Sequence, residues 1–233
     1  MEQCIKINDT TWRFEDEGVR FFLLCGKEKA ALVDTGMKSP DARKLAEELT
    51  DLPLILINTH ADRDHISGND AFDEFYMSPA EEENYRQGGG KGTILPVKEG
   101  DVIELGDRPL RIIDIPGHTP GSIAILDEKN RVLISGDSVQ DGRIFMFGPM
   151  RDLSAYVLSL KRLLERNEDI KEIYPSHGAY PLGTDVIPEL IAGAEKIESG
   201  MIKPKRAEMF GNIIDEYDIG IDVLLCDAGE KQQ

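Results

Sequence analysis

The chain has 233 residues, 40% of them hydrophobic and 30% charged, and carries a formal net charge of −17. That length can bury a sizeable core and is expected to form a single domain over residues 1–233. The acidic balance, with no Lys/Arg cluster against it, argues against nucleic acid or a membrane surface as partner. A homo-oligomer is compatible with it.

Cys4, Cys25 and Cys226 are far apart, lack Cys-x-x-Cys spacing and read as reduced thiols. The start, Met1 to Lys6, has no basic segment followed by an apolar one, and no apolar run approaches membrane-spanning length. A cytoplasmic protein is expected.

From Thr11 to Val33 aromatic and aliphatic runs broken by a turn at Gly26 to Lys29 predict an antiparallel meander that ends at Asp34-Thr35-Gly36. A helix follows to about Leu49, with Ser39 as N-cap and Leu45 and Leu49 on its buried side. Leu54 to Asn58 is unbroken in apolar character except at its end, as a strand covered on both faces would be. Phe75 to Met77 reads as a short strand, Ser78-Pro79 opens a short helix through Tyr85, and Gln87 to Gly92 is a glycine-rich loop.

Strands are then predicted at Ile94 to Val97, Asp101 to Glu104, Leu110 to Ile115, Ile123 to Leu126 and Val132 to Ile134. Leu153, Tyr156, Val157, Leu160, Leu163 and Leu164 recur at helical spacing, so Asp152 to Arg166 is an amphipathic helix capped by Asp152. A strand at Glu172 to Tyr174 and a helix from Thr184 or Asp185 to Glu198 complete a core at about 12–195. The extension 201–233 holds one further strand or short helix at Ile213 to Cys226. Two β-rich halves, each followed by helices, suggest two sheets face to face with helices outside.

The histidines carry the functional signal. The chain has only four: His60 and His65 in Thr59 to His65, between the apolar run Leu54 to Ile57 and Ser67-Gly68, then His118 and His177, each in a setting of Pro, Gly and Ser after an apolar run. Asp62 and Asp64 lie between the first two, and Asp137 sits in Ser135-Gly136-Asp137-Ser138, another strand-end loop. Neutral imidazoles mixed with carboxylates suit borderline divalent ions, and seven candidate ligands suffice for two sites.

This pattern resembles the metallo-β-lactamase superfamily, whose signature is a His-x-His-x-Asp-His loop, a single His, a bridging Asp and a final His. The matching positions are His60, Asp62, Asp64, His65, His118, Asp137 and His177. The resemblance implies an α+β, four-layered αββα sandwich with the site on one edge and Asp34 in a structural role beside it. It further implies two divalent metal ions: His60, Asp62 and His118 at the first, Asp64, His65 and His177 at the second, and Asp137 between them.

Asp62 departs from the signature, standing where a second histidine is usual. Zinc is the family's most common metal, but a carboxylate adds negative charge and hardness, which shifts preference toward iron or manganese. The replacement Asp62→His is expected to strengthen zinc binding.

The function implied is metal-dependent hydrolysis of a small-molecule ester, thioester, lactone or phosphoester, with a bridging hydroxide as nucleophile and Asp64 orienting it. The alternative, drawn from the acidic loop of the flavodiiron branch, is a non-hydrolytic diiron protein that binds or reduces oxygen or nitric oxide and needs a separate electron donor. Ile144 to Met150 is apolar for a loop and walls a pocket or packs under the neighbouring helix, while Lys91, Arg143 and Tyr180 are candidates to meet substrate.

Overall fold

The computed structural model describes residues 3–229. β1 (Gln3–Asn8), β2 (Thr11–Asp16), β3 (Val19–Cys25) and β4 (Ala30–Val33) form the antiparallel meander. β5 (Leu54–Ile57), β6 (Glu74–Met77) and β7 (Thr93–Pro96) continue it in parallel into a seven-stranded sheet. Facing it is a five-stranded sheet of β8 (Val102–Glu104), β9 (Pro109–Asp114), β10 (Ile123–Asp127), β11 (Val132–Gly136) and β13 (Glu172–Pro175), in the order β13-β11-β10-β9-β8.

The two-residue period of a strand explains the layering, because in the central strands both faces are apolar. Phe22, Leu24, Val33 and Ile57 of the first sheet meet Leu110, Ile112, Ile125 and Ile134 of the second in the middle core. Their neighbours Phe21, Leu23, Leu32 and Leu56 turn outward under α1 (Ala42–Glu47) and α2 (Glu82–Gln87). Ile113, Ala124, Leu126 and Leu133 likewise pack under α3 (Leu153–Leu164) and α4 (Val186–Glu198). Helix, sheet, sheet, helix is the four-layered sandwich the sequence leads one to expect. Each fully buried aliphatic side chain contributes roughly 1.5–3 kcal/mol to it.

Three expectations are corrected. Ile144 to Met150 is not all loop: β12 (Gly142–Met146) buries Ile144 and Met146, and only the residues after it are irregular. The extension is not a single element either. β14 (Lys205–Met209), β15 (Asn212–Asp218) and β16 (Asp222–Asp227) join β12 in a third sheet, order β12-β16-β15-β14, with Leu224 in the core beneath α3. Residues 1–2 and 230–233, at the start of the chain and at the end of the extension, lie outside the described residues.

Ser39 does not cap α1. Its hydroxyl donates to Asp16 Oδ2 at 2.8 Å, and the cap position is Asp41 without a side-chain bond. Asp152 does cap α3, accepting from the Ala155 amide at 2.9 Å.

Candidate metal centre

Each histidine leaves the end of a strand or the loop just beyond one, where backbone groups no longer pair along a sheet. β5 runs into Asn58 to His65, β9 into Pro116 to Ser122, β11 into Asp137 and β13 into Ser176-His177. Ile123 donates its amide to the Thr59 carbonyl at 2.9 Å, tying the loop after β5 to the start of β10 across the sandwich. Gly117, at φ +141°, lies directly against the Tyr156 backbone, so any side chain there would drive the His118 loop off α3.

The Nδ1 atom of every histidine is occupied. His65 Nδ1 meets Asp34 Oδ2 at 2.9 Å, His118 Nδ1 donates to the Phe145 carbonyl at 2.8 Å, and His177 Nδ1 donates to the Gly18 carbonyl at 2.8 Å. Thr59 Oγ1 donates to Asp34 Oδ2 at 2.7 Å and so accepts from His60 Nδ1 at 3.0 Å. These bonds assign the Nδ1–H tautomer and aim all four Nε2 atoms inward as potential donors.

There they converge. His60, Asp62 and His118 form one group and Asp64, His65, Asp137 and His177 another, with the offered atoms of each group within 4.8 Å of one another. Asp137 reaches both: Oδ1 lies 3.2 Å from His65 Nε2, and Oδ2 lies 3.4 Å from His177 Nε2 and 3.8 Å from His118 Nε2. The Nε2 atoms of His60, His65 and His118 and Oδ1 of Asp137 are buried with no hydrogen-bond partner. Buried polar atoms without partners are costly, and this donor set fits divalent cations.

The electrostatics agree. Burial and the neighbouring His65 hold the His60 imidazole down to about 3. Burial also opposes charge on His177 and His65, but the carboxylates of Asp137 and Asp64 outweigh it and raise both, His177 to about 10. Asp62, Asp64 and Asp137 are lowered against the opposing effect of burial by the surrounding imidazoles. Three anionic carboxylates thus sit among imidazoles that gain protons, and divalent cations bound there would supply the same positive charge by displacing those protons.

A family profile described as the metallo-beta-lactamase superfamily matches residues 16–177. The chain belongs to the metallo-beta-lactamase superfamily. Human acyl-coenzyme A thioesterase MBLAC2 is 29% identical over 210 residues, covering 71% of this chain and 75% of that protein. Hydroxyacylglutathione hydrolase GloC of Haemophilus influenzae is 28% identical over 178 residues, covering 66% and 82%. The probable metallo-hydrolase MJ0888 of Methanocaldococcus jannaschii is 36% identical over 188 residues, covering 67% and 86%. Among solved structures, a metallo-beta-lactamase from Pontibacter korlensis superposes with a TM-score of 0.72 at 19% identity, covering 84% of this chain and 99% of that one. The protein is a hydrolase of this superfamily.

Within the metallo-beta-lactamase framework two residues stand out that sequence reasoning passed over. Arg151 Nη2 lies 2.6 Å from Asp62 Oδ2, the oxygen that faces His118 Nε2 at 3.2 Å and His60 Nε2 at 3.7 Å. Glu81 is fully buried and accepts from the Ala61 amide at 2.8 Å and the Gly121 amide at 2.7 Å, joining the His60 and His118 loops. Neither had a signal: one follows an apolar run and the other is an acid in a short helical turn.

The three residues proposed to meet substrate are engaged elsewhere. Lys91 pairs with Asp70 at 3.7 Å and Arg143 with Glu216 at 3.6 Å. Tyr180 stacks between Phe22, Tyr174 and the Arg13 guanidinium.

A cavity of about 320 Å³ opens against Asp62, between Glu83, Asn84 and Gln87 of α2 and Phe147, Pro149 and Met150 after β12. Of the glycine-rich loop, only its first residue, Gln87, lines it. Another cavity of about 360 Å³, lined by Arg111, Arg131 and Arg166, lies at the opposite end of the second sheet, and its arginines are already tied to carboxylates or carbonyls. Among the described residues no helix is long and apolar enough to cross a membrane.

Proposed function

We propose that this protein hydrolyses small acyl thioesters at a two-metal centre in which His60, Asp62 and His118 hold one divalent ion, Asp64, His65 and His177 the other, and Asp137 both. The observation that carries the reading is the set of inward Nε2 atoms with no protein partner, each fixed by its Nδ1 bond. Bound divalent ions supply an activated water and a Lewis-acid hold on a carbonyl oxygen.

The chain's own residues do the rest. We assign Asp64, whose Oδ2 lies 3.2 Å from His177 Nε2, to orienting the nucleophile while it serves as a ligand. Phe147, Pro149 and Met150 offer an apolar wall to the acyl or thiol arm, and the amides of Asn84 and Gln87 face them across the cavity. Phe145, tilted against Phe147 and stacked on Phe210, packs beside that wall.

Thioesters are preferred over the other esters because the relatives include an acyl-coenzyme A thioesterase and a hydroxyacylglutathione hydrolase, both named for S-acyl substrates. The test is release of free thiol from acyl-coenzyme A and acyl-glutathione by protein stripped of metal and reloaded separately with zinc, manganese and iron, with lactones and phosphoesters beside them. Metal-dependent thiol release is expected. Turnover of none of the thioesters by any loaded form would overturn the reading.

A further inference from the structure

Asp62 is the one candidate ligand that carries a guanidinium. Among the described residues, no Lys or Arg pairs with Asp64 or Asp137, which meet imidazoles only, whereas Arg151 lies on the very oxygen of Asp62 that faces the first group. The pair is shielded, the Arg151 side chain being 13% and the Asp62 side chain 23% exposed, so their attraction is not that of a free surface pair.

Arg151 is also held. Met150 before it adopts φ +75°, a conformation rare for a side chain of that kind. Asp152 after it caps α3 and donates its amide to the Gly117 carbonyl at 2.9 Å, beside His118. Backbone strain on one side and a capped helix start on the other place the guanidinium where it is.

We propose that Asp62 and Arg151 act as one unit, a carboxylate donor with its counter-charge attached, which together present to the first metal position a donor of no net charge, as an imidazole would. The inference rests on the metal-centre reading above and assigns Arg151 as a positioning residue. It also reverses the expectation for Asp62→His. With Arg151 left in place, a neutral imidazole at position 62 leaves an uncompensated cation beside a divalent ion, so that single change weakens the first position.

The two residues can be tested by whether their changes compensate. Zinc content after dialysis and zinc affinity by competition with a chromophoric chelator are measured on the full chain, on Asp62→His, on Arg151→Met, on Arg151→Lys and on the double variant Asp62→His/Arg151→Met. The expected result is that Asp62→His lowers affinity at the first position by about tenfold or more while Arg151→Met raises it, and that the double variant returns to within about threefold of the parent. Arg151→Lys, which keeps the charge and loses the fork, binds zinc as the parent does.

A double variant that stays as weak as Asp62→His, zinc loss in Arg151→Met, or tighter binding by Asp62→His alone would each overturn the proposal. Thermal unfolding of each variant separates zinc loss from misfolding, and Arg151→Lys and the double variant decide the matter even where Arg151→Met does not fold. These readouts need no substrate, so they stand if the protein proves inactive on thioesters. A parent that binds no zinc, manganese or iron would overturn both readings.

Discussion

Asp34 does more than close a strand. At φ +63° it turns its carboxylate under the site, where Oδ1 accepts from the Thr59 amide at 2.8 Å and Oδ2 serves both Thr59 Oγ1 and His65 Nδ1. Asp34→Asn leaves the shape but puts an amide donor where an acceptor is needed, so zinc affinity is expected to fall roughly 10–100-fold, measured by chelator competition. Resemblance to the family marks Asp34 in advance, because it sits at a recognisable Asp-Thr-Gly. Glu81 and Arg151 were not legible, since their roles exist only when residues 20 to 89 positions away arrive beside them. Asp222 shows a different residue effect. Burial, with Asp141 nearby, pushes its carboxyl up to about 7. A carboxyl raised on folding is more stable protonated, so its contribution is fullest below about pH 4, the unfolded value, and is lost as pH rises through 7. Asp222→Asn should therefore flatten the decline in stability between about pH 4 and 7 and leave the variant more stable than the parent at pH 8, read by denaturant unfolding. A parent whose stability rises with pH over that window, with no change in Asp222→Asn, would contradict this.

At the scale of elements, the third sheet governs one candidate ligand. β12 supplies the Phe145 carbonyl that accepts from His118 Nδ1, and β12 is itself held in parallel register by β16, Phe145 opposite Leu225. A chain ending at Gly200 removes that partner and is expected to lose zinc stoichiometry as well as stability, detected by elemental analysis of any soluble product. Full zinc binding by the truncated chain would show that β12 holds without β16. The strands β3, β5, β10 and β11 were legible because both of their faces are apolar and short turns bound them. β14 and β15 were not: Lys205 to Met209 and Asn212 to Asp218 are largely exposed and mixed in polarity, so neither period shows. Ile144 looked like part of an apolar loop for the converse reason, since a five-residue strand whose partner lies far along the chain gives no local sign of pairing.

For the molecule as a whole, the donors divide between the two facing sheets. The loop after β5 in the first sheet brings His60, Asp62, Asp64 and His65, and the loops of the second bring His118, Asp137 and His177. A cation bound to either group therefore fastens one sheet to the other, and binding adds to folding stability. Zinc at about a hundredfold excess over its dissociation constant should stabilise the apoprotein by about 2.7 kcal/mol. For a chain of this size that corresponds to a rise in melting temperature of about 5–10 °C by calorimetry. No rise with any divalent metal would count against the centre. The order in which the chain leaves the ribosome then matters. β12 is synthesised some eighty residues before β16, its partner in the third sheet. Pairings that span so much chain form late. A nascent chain stalled before residue 222 would carry every candidate histidine and still lack the strand that steadies the Phe145 carbonyl behind His118, so it is expected to take up less zinc at the proposed first position than the full chain. On the proposed reading, uptake at that position is expected to follow the synthesis of β16 rather than that of the candidate ligands.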